Sequence, residues 1–143
     1  MAARKGSAEW QGDLKGGGGT VTVGEGAWTG NYSFTSRFEE GEGTNPEELI
    51  AAAHAGCFTM ALSFTLNNAG FTATAIDTEA RLTMDTVDNK PTITAVHLTT
   101  RAEVPEISAA QFAEIASGAK AGCVVSRALA PSITITMDAS LAS

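Results

Sequence analysis

Two cysteines and two histidines are the side chains of this 143-residue chain best suited to nucleophilic, redox or metal chemistry. Cys57 and Cys123 stand far apart, so spacing alone makes them neither a metal motif nor a Cys-x-x-Cys redox motif. Their contexts are alike: each follows a glycine, Gly56 or Gly122, and each is embedded in apolar sequence at a helix or possible helix junction. One reading makes both small buried hydrophobes, since free cysteine is among the most buried residue types. The other makes them free thiols or a redox pair in a reducing compartment. His54 lies one helical turn before Cys57 and could act as base for a nucleophilic thiol. The plainer reading, which we prefer, is a polar residue with a satisfied hydrogen bond. His97 falls in a strand with no visible partner, and a zinc site built from both cysteines and both histidines would match no common ligand spacing.

The first cysteine sits in the stretch around which the chain is organised. Asn45 can cap a helix, Pro46 suits its first position, and Glu48 completes an Asn-x-x-Glu capping box. From Leu49 to Leu66 no residue is charged and apolar side chains fall on every face, so a buried helix is expected over 46–66, with Gly70 as its left-handed cap. A membrane span is set aside: His54, Thr59, Ser63 and Thr65 interrupt the apolar run, and Glu47 and Glu48 stand where Lys or Arg is preferred.

Upstream, alternation marks strands over 7–14, 20–23 and 31–38, the last with Tyr32, Phe34 and Ser36 on one face and Arg37 on the other. The glycine runs between them are turns: neither has the Gly-Lys-Ser/Thr ending or the spacing of a phosphate loop. Downstream, a strand over 72–87, a turn at 88–91 and a return strand over 92–104 are expected, with a bulge because the apolar phase slips. Ser108 can cap a helix carrying Phe112, Ile115, Ala116 and Ala119. Gly118 and Gly122 weaken this helix before Cys123, a short helix over 123–129 ends at Pro131, and the last strand covers 132–137.

The element order predicts a single α+β domain over 1–143, with antiparallel sheets around a buried central helix. A sheet of this size covers one side of such a helix, so a second copy of the chain is expected to cover the other in an obligate homodimer. The net charge of −7 argues against nucleic acid or an anionic membrane as partner. The first residues lack the apolar run of a secretory signal, so the cytoplasm is the expected location, and Asn31-Tyr32-Ser33 matches a glycosylation acceptor by chance. No metal, flavin or nicotinamide site is visible.

Thr44-Asn45-Pro46-Glu47-Glu48-Leu49, Ala53-His54-Ala55-Gly56-Cys57-Phe58 and Lys120-Ala121-Gly122-Cys123-Val124-Val125-Ser126 resemble the two cysteine motifs of the OsmC/Ohr family of thiol-dependent peroxidases. Ala8-Glu9-Trp10-Gln11-Gly12-Asp13-Leu14 followed by a glycine run also fits, so the likeness covers nearly the whole chain. His54 and Lys120-Ala121-Gly122 resemble the osmotically inducible OsmC branch more than the organic-hydroperoxide-resistance branch. Val124 stands where that branch often has proline.

The resemblance implies an intertwined dimer and a peroxide reductase. Cys57 would be the peroxidatic thiolate, Cys123 the resolving thiol, and Arg37 and Glu47 the polar pair that activates the thiolate. On their own, Arg37 reads as a solvated cation and Glu47 as a helix-dipole partner. The Phe, Leu, Met and Ala around the buried thiol favour a peroxide with an apolar group, so organic hydroperoxides are expected to be reduced faster than hydrogen peroxide. The reductant would be an external dithiol, on the pattern of the family a lipoyl-bearing protein. Along an unbroken helix Glu47 would lie about 15 Å from Cys57. Either the helix breaks at Gly56, or Glu47 and Arg37 serve the Cys57 of the other subunit, the option we favour. The rival readings keep the fold without turnover: a redox-sensing or small-molecule-binding stress protein, or one with inert thiols.

Overall fold

The computed structural model describes residues 2–142. Met1, part of the amino-terminal stretch read for a signal, and Ser143, the last residue of the expected domain, lie outside the described residues. The chain forms two compact units, divided at Leu49/Ile50.

In the first unit β1 (Gly6–Gln11), β2 (Gly18–Val23) and β3 (Trp28–Tyr32) pair as an antiparallel meander. The expected third strand over 31–38 is corrected: β3 stops at Tyr32 and α1 (Phe34–Phe38) follows. The cause is local. Ser33 caps the turn by accepting from the Ser36 amide at 3.1 Å, and the Ser36 hydroxyl answers by accepting from the Ser33 amide at 2.8 Å, a reciprocal pair that outweighs the alternation. Arg37 is therefore a helical residue.

Asn45 then joins α1 to the next helix. Its side-chain amide donates to the Ser36 carbonyl at 2.9 Å, while its carbonyl oxygen accepts from the Glu48 amide at 2.8 Å, the expected cap. From that cap α2 (Pro46–Asn68) runs unbroken through Gly56 and crosses the boundary between the units. It ends in a Schellman turn: Gly70 has φ +92°, the Phe71 amide reaches the Leu66 carbonyl at 2.9 Å and the Gly70 amide reaches Asn67 at 3.0 Å.

In the second unit β4 (Ala75–Val87) and β5 (Lys90–Glu103) form an antiparallel hairpin whose two-residue turn, Asp88-Asn89, has positive φ at both positions. The expected bulge lies opposite Thr83 and Met84, where Thr94 is the extra residue. Helices α3 (Ala109–Gly122) and α4 (Val124–Leu129) follow, hinged at Cys123, before β6 (Thr134–Leu141). Here the expectation of antiparallel sheets is corrected: β6 pairs with β5 in parallel. The intervening helices return the chain to the other end of β5, as a parallel crossover requires.

The core of this unit joins Phe58, Leu62 and Leu66 of α2 to Val96, Leu98 and Ala102 of β5, with Phe112, Ala116 and Ala119 of α3. The central helix is not buried all round within one chain, as its composition predicts. His54, Phe58, Leu62 and Leu66 form one buried stripe, whereas Met60 is 77% and Phe64 66% exposed. By length and composition α2 could cross a membrane, a test that core helices of globular proteins also pass, and its buried stripe belongs to such a core.

Candidate active site

The structure brings Cys57 and Cys123 together: their sulfurs are 3.0 Å apart and both are free thiols. The two helices achieve this by the same device. On α2, His54 and Cys57 stand one turn apart on one face, and on the other side Cys123 opens α4 with Ser126 one turn later. Facing one another, they make two contacts, sulfur to sulfur and the His54 Nε2 to the Ser126 hydroxyl at 2.7 Å. Cys123, Ser126 and His54 are buried, whereas Cys57 retains partial exposure.

The environment of the thiols is asymmetric. Burial pushes the Cys57 thiol up, its hydrogen bond with Cys123 pushes the same way, and the amides of Val125 and Val124 offset this only in part. Burial also opposes a charge on Cys123, but the hydrogen bond with Cys57 and the amide and hydroxyl of Ser126 overcome it and hold this thiol below its ordinary value. The Cys123 side chain makes no capping hydrogen bond to α4. Two close thiols carry one negative charge more readily than two.

The hydrogen bond His54 makes is to Ser126, not to Cys57. Its Nε2 is turned to Ser126, and among the described residues its Nδ1 is the one fully buried side-chain nitrogen or oxygen without a partner. Burial lowers its pKa, so the ring is neutral at pH 7. His97, without a visible partner in the sequence, lies against Thr136 at 2.6 Å and Asp138 at 3.2 Å on β6.

In the first unit Arg37 and Glu47 form a two-pronged ion pair, Nε to Oε1 at 3.0 Å and Nη2 to Oε2 at 2.9 Å. Its hydrogen bond to Glu47 raises the Arg37 pKa further, against the effect of burial. The Arg37 side chain remains 40% exposed while that of Glu47 is 13% exposed, so the carboxylate is the more shielded member of the pair. A hollow of about 260 Å³ beside Arg37 is lined by Trp10, Leu14, Tyr32, Phe34 and Phe38. Reading 31–38 as a strand concealed it: on a strand Phe34 and Phe38 would stand about 13 Å apart along one face, whereas one helical turn brings their rings to 5.3 Å. Ser126 was likewise passed over, although its position one turn after Cys123 was available as a signal.

Residues 39–138 match the family described as OsmC-like protein. Over 133 residues the chain is 50% identical to the peroxiredoxin OsmC of Escherichia coli (strain K12), covering 92% of this chain and 93% of that protein. Among solved structures, an organic hydroperoxide resistance protein OsmC from Legionella pneumophila superposes with a TM-score of 0.74 at 19% identity, covering 100% of both chains. An OsmC-like protein from Mycoplasma pneumoniae gives 0.79 at 12% identity over 99% of each. At these identities the two structures speak for the fold, which is α+β as expected. With half its residues shared along almost its full length with one member, and the family pattern matched across the helix that carries Cys57 and the turn that carries Cys123, this chain belongs to the OsmC-like protein family.

Proposed function

We propose that the protein is a thiol-dependent peroxide reductase that prefers organic hydroperoxides to hydrogen peroxide. The observation that carries this is the 3.0 Å approach of two sulfurs, one partly exposed and one buried. Cys57 as thiolate attacks a peroxide oxygen: the S–O bond forms, the O–O bond breaks, and the alkoxide leaves to be protonated as the alcohol. Cys57, oxidised by two electrons, is then a sulfenic acid. Cys123 attacks that sulfur, forming the disulfide, and hydroxide departs with the thiol proton as water. An external dithiol, for which a lipoyl-bearing protein is our candidate, restores both thiols in the cytoplasm.

The ionisation of the pair calls for one more group. Within one chain burial and Cys123 both disfavour charge on Cys57, so a peroxidatic thiolate there needs a cation beside it. Arg37, held by Glu47 and partly exposed, is that cation in our reading. Because α2 is unbroken, Glu47 is about 15 Å along the helix from its own Cys57. We therefore assign Arg37 and Glu47 to the Cys57 of a second copy, in a homodimer that also covers Met60 and Phe64. The aromatic hollow beside Arg37 supports the preference for peroxides with an apolar group.

The test is catalytic loss of an alkyl hydroperoxide with dithiothreitol, for the native protein and Cys57→Ser. Turnover abolished by the substitution supports the enzyme. Stoichiometric loss without turnover would favour the redox sensor, and no loss at all would leave the thiols inert. Mixed dimers of Arg37→Ala with Cys57→Ser chains address the sharing: one intact site restores activity, and complete inactivity refutes it.

A further inference from the structure

The buried histidine has no part in the chemistry described above, yet it is wholly shielded from solvent and leaves one ring nitrogen without a partner among the described residues. A buried polar group in that state needs a reason. Its single contact supplies one. The Ser126 hydroxyl, 2.7 Å from Nε2, has one proton and can give it to only one acceptor. It occupies the third position of α4, one turn after Cys123, the residue that opens the helix.

Two arrangements are open. If Ser126 donates to His54, the ring must carry its proton on Nδ1, leaving a buried N–H with nothing to bond. If His54 donates from Nε2, only a lone pair on Nδ1 is left unmet and the hydroxyl proton is free to face Cys123. Orphaned buried N–H groups are the rarer of the two in folded proteins, so the second arrangement is favoured.

Resting on the assignment of Cys123 as the resolving thiol, we propose that His54 is a positioning residue for the second chemical step: as the neutral Nε2–H tautomer it donates to the Ser126 hydroxyl and thereby fixes that hydroxyl as a donor to the Cys123 sulfur. His54 on α2 meets Ser126 on α4, and one turn back along α4 Cys123 meets the Cys57 sulfur on α2. Its effect falls on the moment when Cys57 is a sulfenic acid. Cys123 must then be a thiolate; its sulfur bonds to that of Cys57, the S–O bond breaks, and the departing hydroxide leaves as water with the proton that Cys123 had released on ionising. His54 gains and loses no proton in this cycle. Its ring holds a donor in place.

The groups that bear directly on the Cys123 titration are Cys57 from α2, with Ser126 and the Val125 amide from α4; among the described residues no carboxylate, lysine or arginine shifts it. Lys120 of α3 and Arg127 of α4 line a groove that Ser126 also borders.

Nitrogen-15 NMR of the native protein at pH 7 reads the tautomer directly: Nε2 protonated and Nδ1 bare is expected, and the reverse overturns the proposal. In a Cys57→Ser background, where one thiol remains, thiolate absorbance against pH gives the Cys123 titration without any turnover. His54→Gln, whose amide can still donate, is expected to titrate with its parent. His54→Met and Ser126→Ala are each expected to shift the titration upward by about one unit. With both cysteines present, His54→Met should slow disulfide closure about tenfold at pH 7, as the thiolate fraction falls. A folded His54→Met protein that titrates with its parent overturns the proposal. So does a His54→Met shift that persists undiminished in a Ser126→Ala background. If His54→Met does not fold, Ser126→Ala decides alone: no upward shift overturns it. Failure of the native protein to turn over peroxide would instead sink the functional assignment, and the tautomer and titration would still be measured.

Discussion

Replacing Glu47 by glutamine keeps the volume of the side chain and removes half of what it does. The carboxylate accepts from Arg37 Nε at 3.0 Å and from Nη2 at 2.9 Å; in the amide one of the two oxygens becomes an NH2 group facing an N–H donor. One charge-assisted bond is lost and the other weakened. A bond of that kind contributes about 1.5–3 kcal/mol when shielded. The Arg37 side chain is 40% exposed, so solvent competes for the guanidinium and the loss is discounted to about 1–1.5 kcal/mol. If the held guanidinium is needed in the transition state, kcat/KM for an alkyl hydroperoxide falls about five- to twelvefold. Initial rates of peroxide loss with dithiothreitol measure this, and the thermal midpoint should fall by no more than about 5 °C. Arg37→Lys keeps the charge but cannot fork, so it should lose more than Glu47→Gln. A folded Glu47→Gln enzyme within twofold of the native rate would refute the reasoning, because the guanidinium would then work without being held.

One equivalent of peroxide should remove two hydrogens from the protein mass and leave a Cys57–Cys123 cross-linked peptide, while Cys123→Ser reacts once and passes to higher oxides; a mass gain of oxygen in the native protein would contradict this. Efficiency with an alkyl hydroperoxide should exceed that with hydrogen peroxide, and equal values would deprive the hollow beside Arg37 of its role. Because burial depresses the His54 pKa below its ordinary 6.5, the unfolded chain binds the proton more tightly. The stability this residue contributes is complete above about pH 6.5 and is lost as the pH falls from there toward the folded value. Denaturant midpoints from pH 7.5 to 5 should therefore decline, and His54→Gln should flatten the decline. Phe58→Ala, which empties a fully buried site in the core of the second unit, should cost about 3–5 kcal/mol in the same assay; a loss under about 1 kcal/mol would mean the core collapses around it.

Much of the local structure was legible in the sequence because it is decided locally. The Asn45 cap, Pro46, the Gly70 turn, the Ser108 cap and the break at Cys123 each depend on residues within one helical turn, and all lie where the sequence places them. The error at α1 has the same scale. Apolar alternation over Tyr32, Phe34 and Ser36 was read as pleat, and a serine pair one turn apart, competing for the same backbone, closed a helix instead.

What no local pattern carries is which distant segments meet. Residue types narrowed the chemistry to two cysteines and, through family resemblance, an arginine and a glutamate. The approach of Cys57 to Cys123 follows from the packing of α2 and α3 on the β4–β5–β6 sheet, which sets α4 beside the middle of α2. The parallel direction of β6, the apolar surface left bare on α2, and the facing of His54 to Ser126 were decided at the same level. Periodicity specifies the face a side chain occupies on its own element; only the folded chain determines what stands opposite, and for a thiol that neighbour sets both its charge and its partner.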